Sequence, residues 1–114
     1  MNQEIKARWV DALRSGDYEQ GRGTLRRGDR FCCLGVLTDL AVGAGVLEDP
    51  ELYGLDGTYY YEDYLTSDLH PKVMEWAGIN RSGYIKGANI SLIELNDAYR
   101  LSFDHIAIVI EEEF

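Results

Sequence analysis

Cysteine, histidine and basic residues are scarce in this chain of 114 residues, and long apolar runs are missing altogether. The two cysteines, Cys32 and Cys33, are neighbours. Adjacent thiols close no useful loop and have no further partner, so a disulfide framework is excluded, which suits a reducing compartment. Tetrahedral zinc needs four ligands at workable spacing. Beyond the thiols there are only His70 and His105, neither in a spaced pair, so no metal site is expected. No apolar run approaches the roughly 20 residues that a membrane span needs. The start, Met1-Asn2-Gln3-Glu4-Ile5-Lys6, is polar and periodic, unlike the apolar core of a signal peptide. These absences predict a soluble, cytoplasmic protein with no membrane partner.

Positive charge is short as well. Eleven Lys and Arg stand against 20 Asp and Glu, a formal charge of -9. Such a molecule repels a polyanion, so direct binding to a DNA or RNA backbone is disfavoured. The 46% hydrophobic content is too high for a disordered chain. The length fits one domain over residues 1–114, able to bury an ordinary core.

Periodicity then places the elements. Ile5, Trp9 and Leu13 recur every fourth residue, which predicts an amphipathic helix over Gln3 to Arg14 stopped at Ser15-Gly16. Asp17 to Arg30 reads as a glycine-punctuated loop with a short extended piece around Thr24-Leu25. Phe31 to Ala44 is apolar on nearly every side, which predicts a buried central helix, with Asp29 as a candidate cap. Gly35 inside that helix predicts close approach of another backbone. Leu47 to Tyr64 mixes acids with Tyr53, Tyr59, Tyr60, Tyr61 and Tyr64, and its Asp56-Gly57 predicts a hairpin or flap. Pro71 starts a helix that Gly78 ends, Ser91 and Glu94 form a capping box, and Ser102 caps a last helix with Phe103, Ile106, Ala107, Ile110 and Phe114 on one face. Glu111, Glu112 and Glu113 crowd its C-terminal end, so that end should fray or meet positive charge. The expected fold is mainly helical, α+β, with a buried central helix and a small β-hairpin or flap.

Three groups of residues carry candidate chemistry. Residues 1–30 hold seven basic and five acidic residues, a balance of +2, while 31–114 balance at -11. Four arginines, Arg22, Arg26, Arg27 and Arg30, fall within nine residues, interleaved with Gly21, Gly23 and Gly28. Guanidinium forks grip phosphate oxygens in pairs, glycines let a backbone approach a ligand, and a helix start follows. The commoner use of such arginines is pairing with the acidic remainder of the same chain. In the acidic flap, tyrosines supply rigid contact area for a partner or a stacking face for a base, or simply cover the core. The thiol pair, at a helix start, has a catalytic reading in which His105 or His70 serves as base. Flanked by Phe31, Leu34, Val36 and Leu37, the thiols also suit a packing role. Asn96 and Asp97, between two helices, are expected to satisfy backbone groups in the turn.

The run Phe31-Cys32-Cys33-Leu34-Gly35-Val36-Leu37 with Asp39-Leu40, and the later Leu95-Asn96-Asp97, Leu101-Ser102-Phe103 and Ile106-Ala107, join Trp9, Leu13, Tyr18, Gln20 and Gly23 in a pattern. It resembles a group of small accessory proteins common in tailed-bacteriophage genomes. The resemblance covers nearly the whole chain, and Cys-Cys-Leu-Gly is its most specific part. It implies an accessory protein acting in the cytoplasm of an infected bacterium. It implies no established activity, and both histidines lie outside the pattern.

These readings converge on one expectation: a non-enzymatic counter-defence protein, with no cofactor, that sequesters a small nucleotide-derived signal. Arg22, Arg26, Arg27 and Arg30 would hold phosphates while Tyr59 or Tyr61 stacks on the base. A symmetric homo-oligomer with ligand between subunits suits so short a chain. The alternative is a protein inhibitor of a host defence enzyme, for example a nuclease, acting through the acidic, tyrosine-rich surface. A second alternative is a thiol-dependent enzyme.

Overall fold

Helix ends in this chain are set by side chains that satisfy free backbone amides, and apolar spacing decides which faces turn inward. The computed structural model describes residues 1–62 and 66–114, so Tyr64 of the expected flap lies outside the described residues. Helix α1 (Gln3–Arg14) starts where the Asn2 side chain accepts from the Ile5 amide, and it buries Ile5, Trp9, Val10 and Leu13. Three strands follow, β1 (Glu19–Gln20), β2 (Arg26–Arg27) and β3 (Arg30–Phe31). The expected glycine loop is thus a sheet fragment, and its extended piece lies one or two residues beyond Thr24-Leu25. Gly28, at φ +59, opens the two-residue turn between β2 and β3, where a left-handed conformation favours glycine.

Helix α2 (Cys33–Gly43) is the central buried helix, shorter at its start than the apolar run implied. Phe31 belongs to β3, and the cap is Cys32, whose Sγ accepts from the Gly35 amide at 3.4 Å; Asp29 remains exposed in the turn. Hairpin β4 (Glu51–Tyr53) and β5 (Thr58–Tyr60) turns through Asp56-Gly57 as its dipeptide signal indicated. Helix α3 (Pro71–Ala77) ends at Gly78, at φ +70. A two-stranded ribbon, β6 (Tyr84–Ile85) and β7 (Ile90–Ser91), leads into α4 (Leu92–Asp97), which carries the complete Ser91–Glu94 capping box. Helix α5 (Phe103–Glu113) starts on the Ser102 hydroxyl.

The result is one α+β domain of 37 × 27 × 26 Å. Helix α2 packs against α1, α3 and α4, and α1 also lies along α5. The acidic end of α5 meets positive charge, one of the two outcomes that its sequence left open: Arg14 reaches Glu111 at 2.6 Å and the Lys6 ammonium donates to the Glu111 carbonyl at 3.0 Å. The small strands form one sheet in the order β1-β3-β2-β5-β4, with β1 parallel to β3 and the other pairs antiparallel. This sheet lines up the arginine loop and the tyrosine hairpin side by side.

Gly35 shows why the central helix carries a glycine. A Cβ built there would lie 1.8 Å from the Leu25 carbonyl oxygen and 2.7 Å from its carbon. That carbonyl also accepts from the Cys32 amide at 3.3 Å, so it has little freedom to retreat. Gly35→Ala is therefore expected to destabilise the protein by about 3 kcal/mol, the upper range for forcing extra volume into a packed core. Urea unfolding measures this; a variant within a few tenths of wild type would show that α2 and the Leu25 backbone are not in such contact.

Candidate functional site

Four arginines that are close in sequence do not share one side of a strand. Directly paired residues in a sheet point to the same face, and successive residues alternate. Glu19, Arg30, Arg27, Thr58 and Tyr53 are linked in register across the sheet, which puts Arg27 and Arg30 on one face. Gln20, Phe31 and Arg26 are linked in the same way on the other. Arg26 lies over the rings of Tyr59, at 4.1 Å, and Phe31, at 5.1 Å, and its Nε donates to the Gly28 carbonyl. Arg27 donates to the Thr58 hydroxyl at 3.2 Å and pairs with Asp56 at 3.6 Å. Arg30 sits 3.9 Å from Glu19. Arg22 is exposed and makes no hydrogen bond or ion pair among the described residues. The structure therefore sets Arg27 and Arg30 on one face, where Arg27 turns to Asp56 and Arg30 to Glu19, sends Arg26 to the opposite face and leaves Arg22 apart. The expected convergence of all four on one anion does not occur in this arrangement.

The tyrosines divide by the same alternation. Tyr59 is half-buried and covers Arg26. Tyr61 is only 1% exposed, so it belongs to the core and cannot stack on a base from the flap as its sequence position suggested. Among the described residues its hydroxyl has no hydrogen-bond partner, and burial, with Asp39 nearby, pushes its ionisation up. Tyr18, set edge-on to Phe31 at 5.0 Å, donates to Asp39 at 2.5 Å, and burial followed by that bond raises its ionisation too. Tyr60 pairs with Glu51 and stands edge-on to Tyr53.

What sequence reasoning passed over is Leu52 and Leu55. On the hairpin Leu52 is 61%, Tyr53 63% and Leu55 fully exposed. The available signal was Leu55 beside Asp56-Gly57: an apolar residue in a tight turn has no core to enter. Strand β4 is the terminal strand of the sheet, and all three of its residues are exposed. Residues 47–62 carry five acids, Glu48, Asp49, Glu51, Asp56 and Glu62, and no basic residue. Four of these acids with Tyr60 line a cleft of about 200 Å³ at the start of β4. Lys72 from α3 holds Glu62 at 2.8 Å and lowers its carboxyl pKa. Beside the turn, Thr24, Arg27, Tyr53, Leu55, Asp56 and Thr58 line a second cleft of about 570 Å³. Asp56 projects into it with its pKa lowered, first by hydrogen bonds from Thr58 and then by Arg27.

The thiols are packed. Cys32 and Cys33 are both buried, and burial pushes Cys32 up to about 12 and Cys33 well above its ordinary value. Cys32 caps α2, and the Cys33 thiol lies 3.7 Å from the Leu92 carbonyl. His70 caps α3, its Nδ1 accepting from the Lys72 amide, and His105 Nδ1 lies 3.0 Å from the Ser102 hydroxyl. Among the described residues no group of three or more His, Cys, Asp or Glu could hold a metal ion. No described helix is long and apolar enough to cross a membrane.

Two outcomes follow from this packing. Tyr61→Phe should raise stability by about 1 kcal/mol in urea unfolding, because it removes a buried hydroxyl that is unpaired among the described residues; a loss of similar size would reveal a partner for that oxygen. Neither thiol should react with iodoacetamide in the folded protein at mildly alkaline pH, and both should react on unfolding, since only the thiolate is nucleophilic. Mass spectrometry counts the adducts, and rapid labelling of the folded protein would reopen thiol chemistry.

A family model described as a domain of unknown function, DUF8296, matches residues 1–114. No curated protein and no solved structure matches the chain.

Proposed function

The chain belongs to the DUF8296 family over its whole length, and on that premise we propose, from its own surface, that it is a non-catalytic binding protein that blocks a partner protein through the β4–β5 hairpin. One observation carries this reading: Leu52, Tyr53 and Leu55 stand exposed together on the terminal strand and its turn. Large apolar side chains left in water on both faces of one short strand and on its turn mark an interaction site that a partner grips from the edge. Covering a fully exposed leucine such as Leu55 is worth about 1.5–3 kcal/mol, and the partly exposed Leu52 and Tyr53 add to that anchor. The surrounding carboxylates set which partners approach, because a field of one sign repels wrong partners and speeds right ones. In the phage setting that the sequence pattern resembles, the partner is a host defence enzyme, such as a nuclease, met in the bacterial cytoplasm.

A second reading, sequestration of a nucleotide-derived signal, keeps one observation in its favour. The cleft beside the turn has the volume of a small-molecule site, one guanidinium and one exposed tyrosine. Asp56 in the same cleft opposes a phosphate there, which is why the protein-binding reading stands first.

A photo-crosslinking side chain at position 55, introduced in bacterial cells carrying the partner, should capture one discrete protein, and Leu52→Asp should abolish the capture. The same side chain at Tyr99, also exposed, serves as control. Equal capture from both positions would remove the hairpin from the reading. A rise in melting midpoint with any member of a cyclic and linear nucleotide panel, without capture, would replace it by sequestration, since a ligand of the folded form stabilises it.

A further inference from the structure

The hairpin offers more than a patch, because its outer strand is the open end of a sheet. A terminal strand presents unpaired N–H and C=O groups along its free edge, a ready template for another strand. Strand β4 has one neighbour, β5, in the register Glu51–Tyr60, Leu52–Tyr59 and Tyr53–Thr58. Among the described residues nothing pairs with its other edge. Exposed edges are commonly defended by lysines or by a covering loop. Here the edge carries no lysine, and Leu52 and Tyr53 on it are exposed.

We propose that the partner contributes an extended basic segment that pairs along β4 as a sixth strand. The inference rests on the protein-binding reading and specifies the chemistry of the partner. Side chains of an added strand alternate between faces and meet the residues opposite them. On one face they meet Glu51 and Tyr53, which call for a cation: Glu51 by charge, Tyr53 by its ring face. On the other face they meet Leu52, which calls for an aliphatic side chain. The next cation toward the start of β4 meets the acidic cleft lined by Glu48, Asp49, Glu51, Tyr60 and Glu62. The edge thus selects an alternating basic and aliphatic sequence. A second copy of this chain is the wrong occupant, because its own edge, residues 47–62, carries no cation to meet Glu51 or the acidic cleft.

The test uses the full chain and an acetylated, amidated peptide alternating arginine and valine. Calorimetry should show binding, and amide NMR should show new hydrogen-exchange protection confined to residues 51–53. The peptide N-methylated at every second residue, made in both phases, keeps its charge and apolar surface. One phase should lose binding, since it removes the N–H groups that strand pairing needs. Glu51→Lys should weaken binding roughly tenfold, and a peptide with glutamate in place of arginine should not bind. Binding that survives N-methylation in both phases would reduce the contact to electrostatics and overturn strand addition. Absence of binding by the basic peptide would overturn the proposal, as would a β4-dependent dimer in sedimentation. If crosslinking at position 55 still captures a partner in those cases, the protein-binding reading stands while the strand proposal falls. If both fail, both fall.

Discussion

The arrangement hangs on one buried amide. Asn96 is fully buried, and three of its four side-chain hydrogen bonds join elements that are remote in sequence. Its oxygen accepts from the Cys33 amide at 3.2 Å and from Gln20 Nε2 at 2.9 Å. Its nitrogen donates to the Gly21 carbonyl at 2.9 Å and to Asp97 at 2.8 Å. A buried amide without partners is costly, so α4, the end of β1 and the first turn of α2 must arrive together or not at all. Two further contacts converge on that same turn. The Trp9 indole donates to the Cys33 carbonyl at 2.9 Å, and Gly35 lies against the Leu25 backbone. The start of the central helix is therefore held from α1, from the sheet and from α4 at once.

How much of this was legible follows from the range of each interaction. Helix starts were readable because their caps are local: Ser91 with Glu94, Ser102 with the His105 amide, Pro71 followed by Gly78. The Asp56-Gly57 turn was readable for the same reason. Strands β1, β2 and β3, of two residues each, are too short to show an alternation, and they exist through pairing with distant partners. Asn96 was expected to serve its own turn; its amide instead reaches Cys33 and Gly21, which no spacing rule announces. The cap at Cys32 was hidden because a thiol is a weak acceptor and the residue sits within an apolar run.

The candidate site failed and succeeded on one physical fact, the two-residue period of a strand. Arg26 and Arg27 are adjacent, so they face opposite ways, and a cluster in sequence becomes two separate environments in space. Arg26 is spent as a cation between two aromatic rings, and Arg27 is spent on Thr58 and Asp56 of the hairpin. Together with the Gly28 amide bonded to the Gly57 carbonyl, these contacts fix the hairpin to the body of the sheet. The arginine loop thus acts as the mount of the tyrosine hairpin, a role that joins the two groups which read as independent in sequence. The same period sends Tyr61 inward while Tyr60 stays at the surface beside Glu51.

The Cys32–Gly35 run, the most distinctive stretch of the chain, does its work entirely inside: one thiol caps, the other packs, and the glycine makes room for a neighbouring backbone. A run spent on capping, packing and making room for a neighbour fixes the scaffold and is silent about the target. Exchanges in that run therefore disturb the scaffold, whereas the exposed side chains that follow Pro50 are free to change without disturbing it.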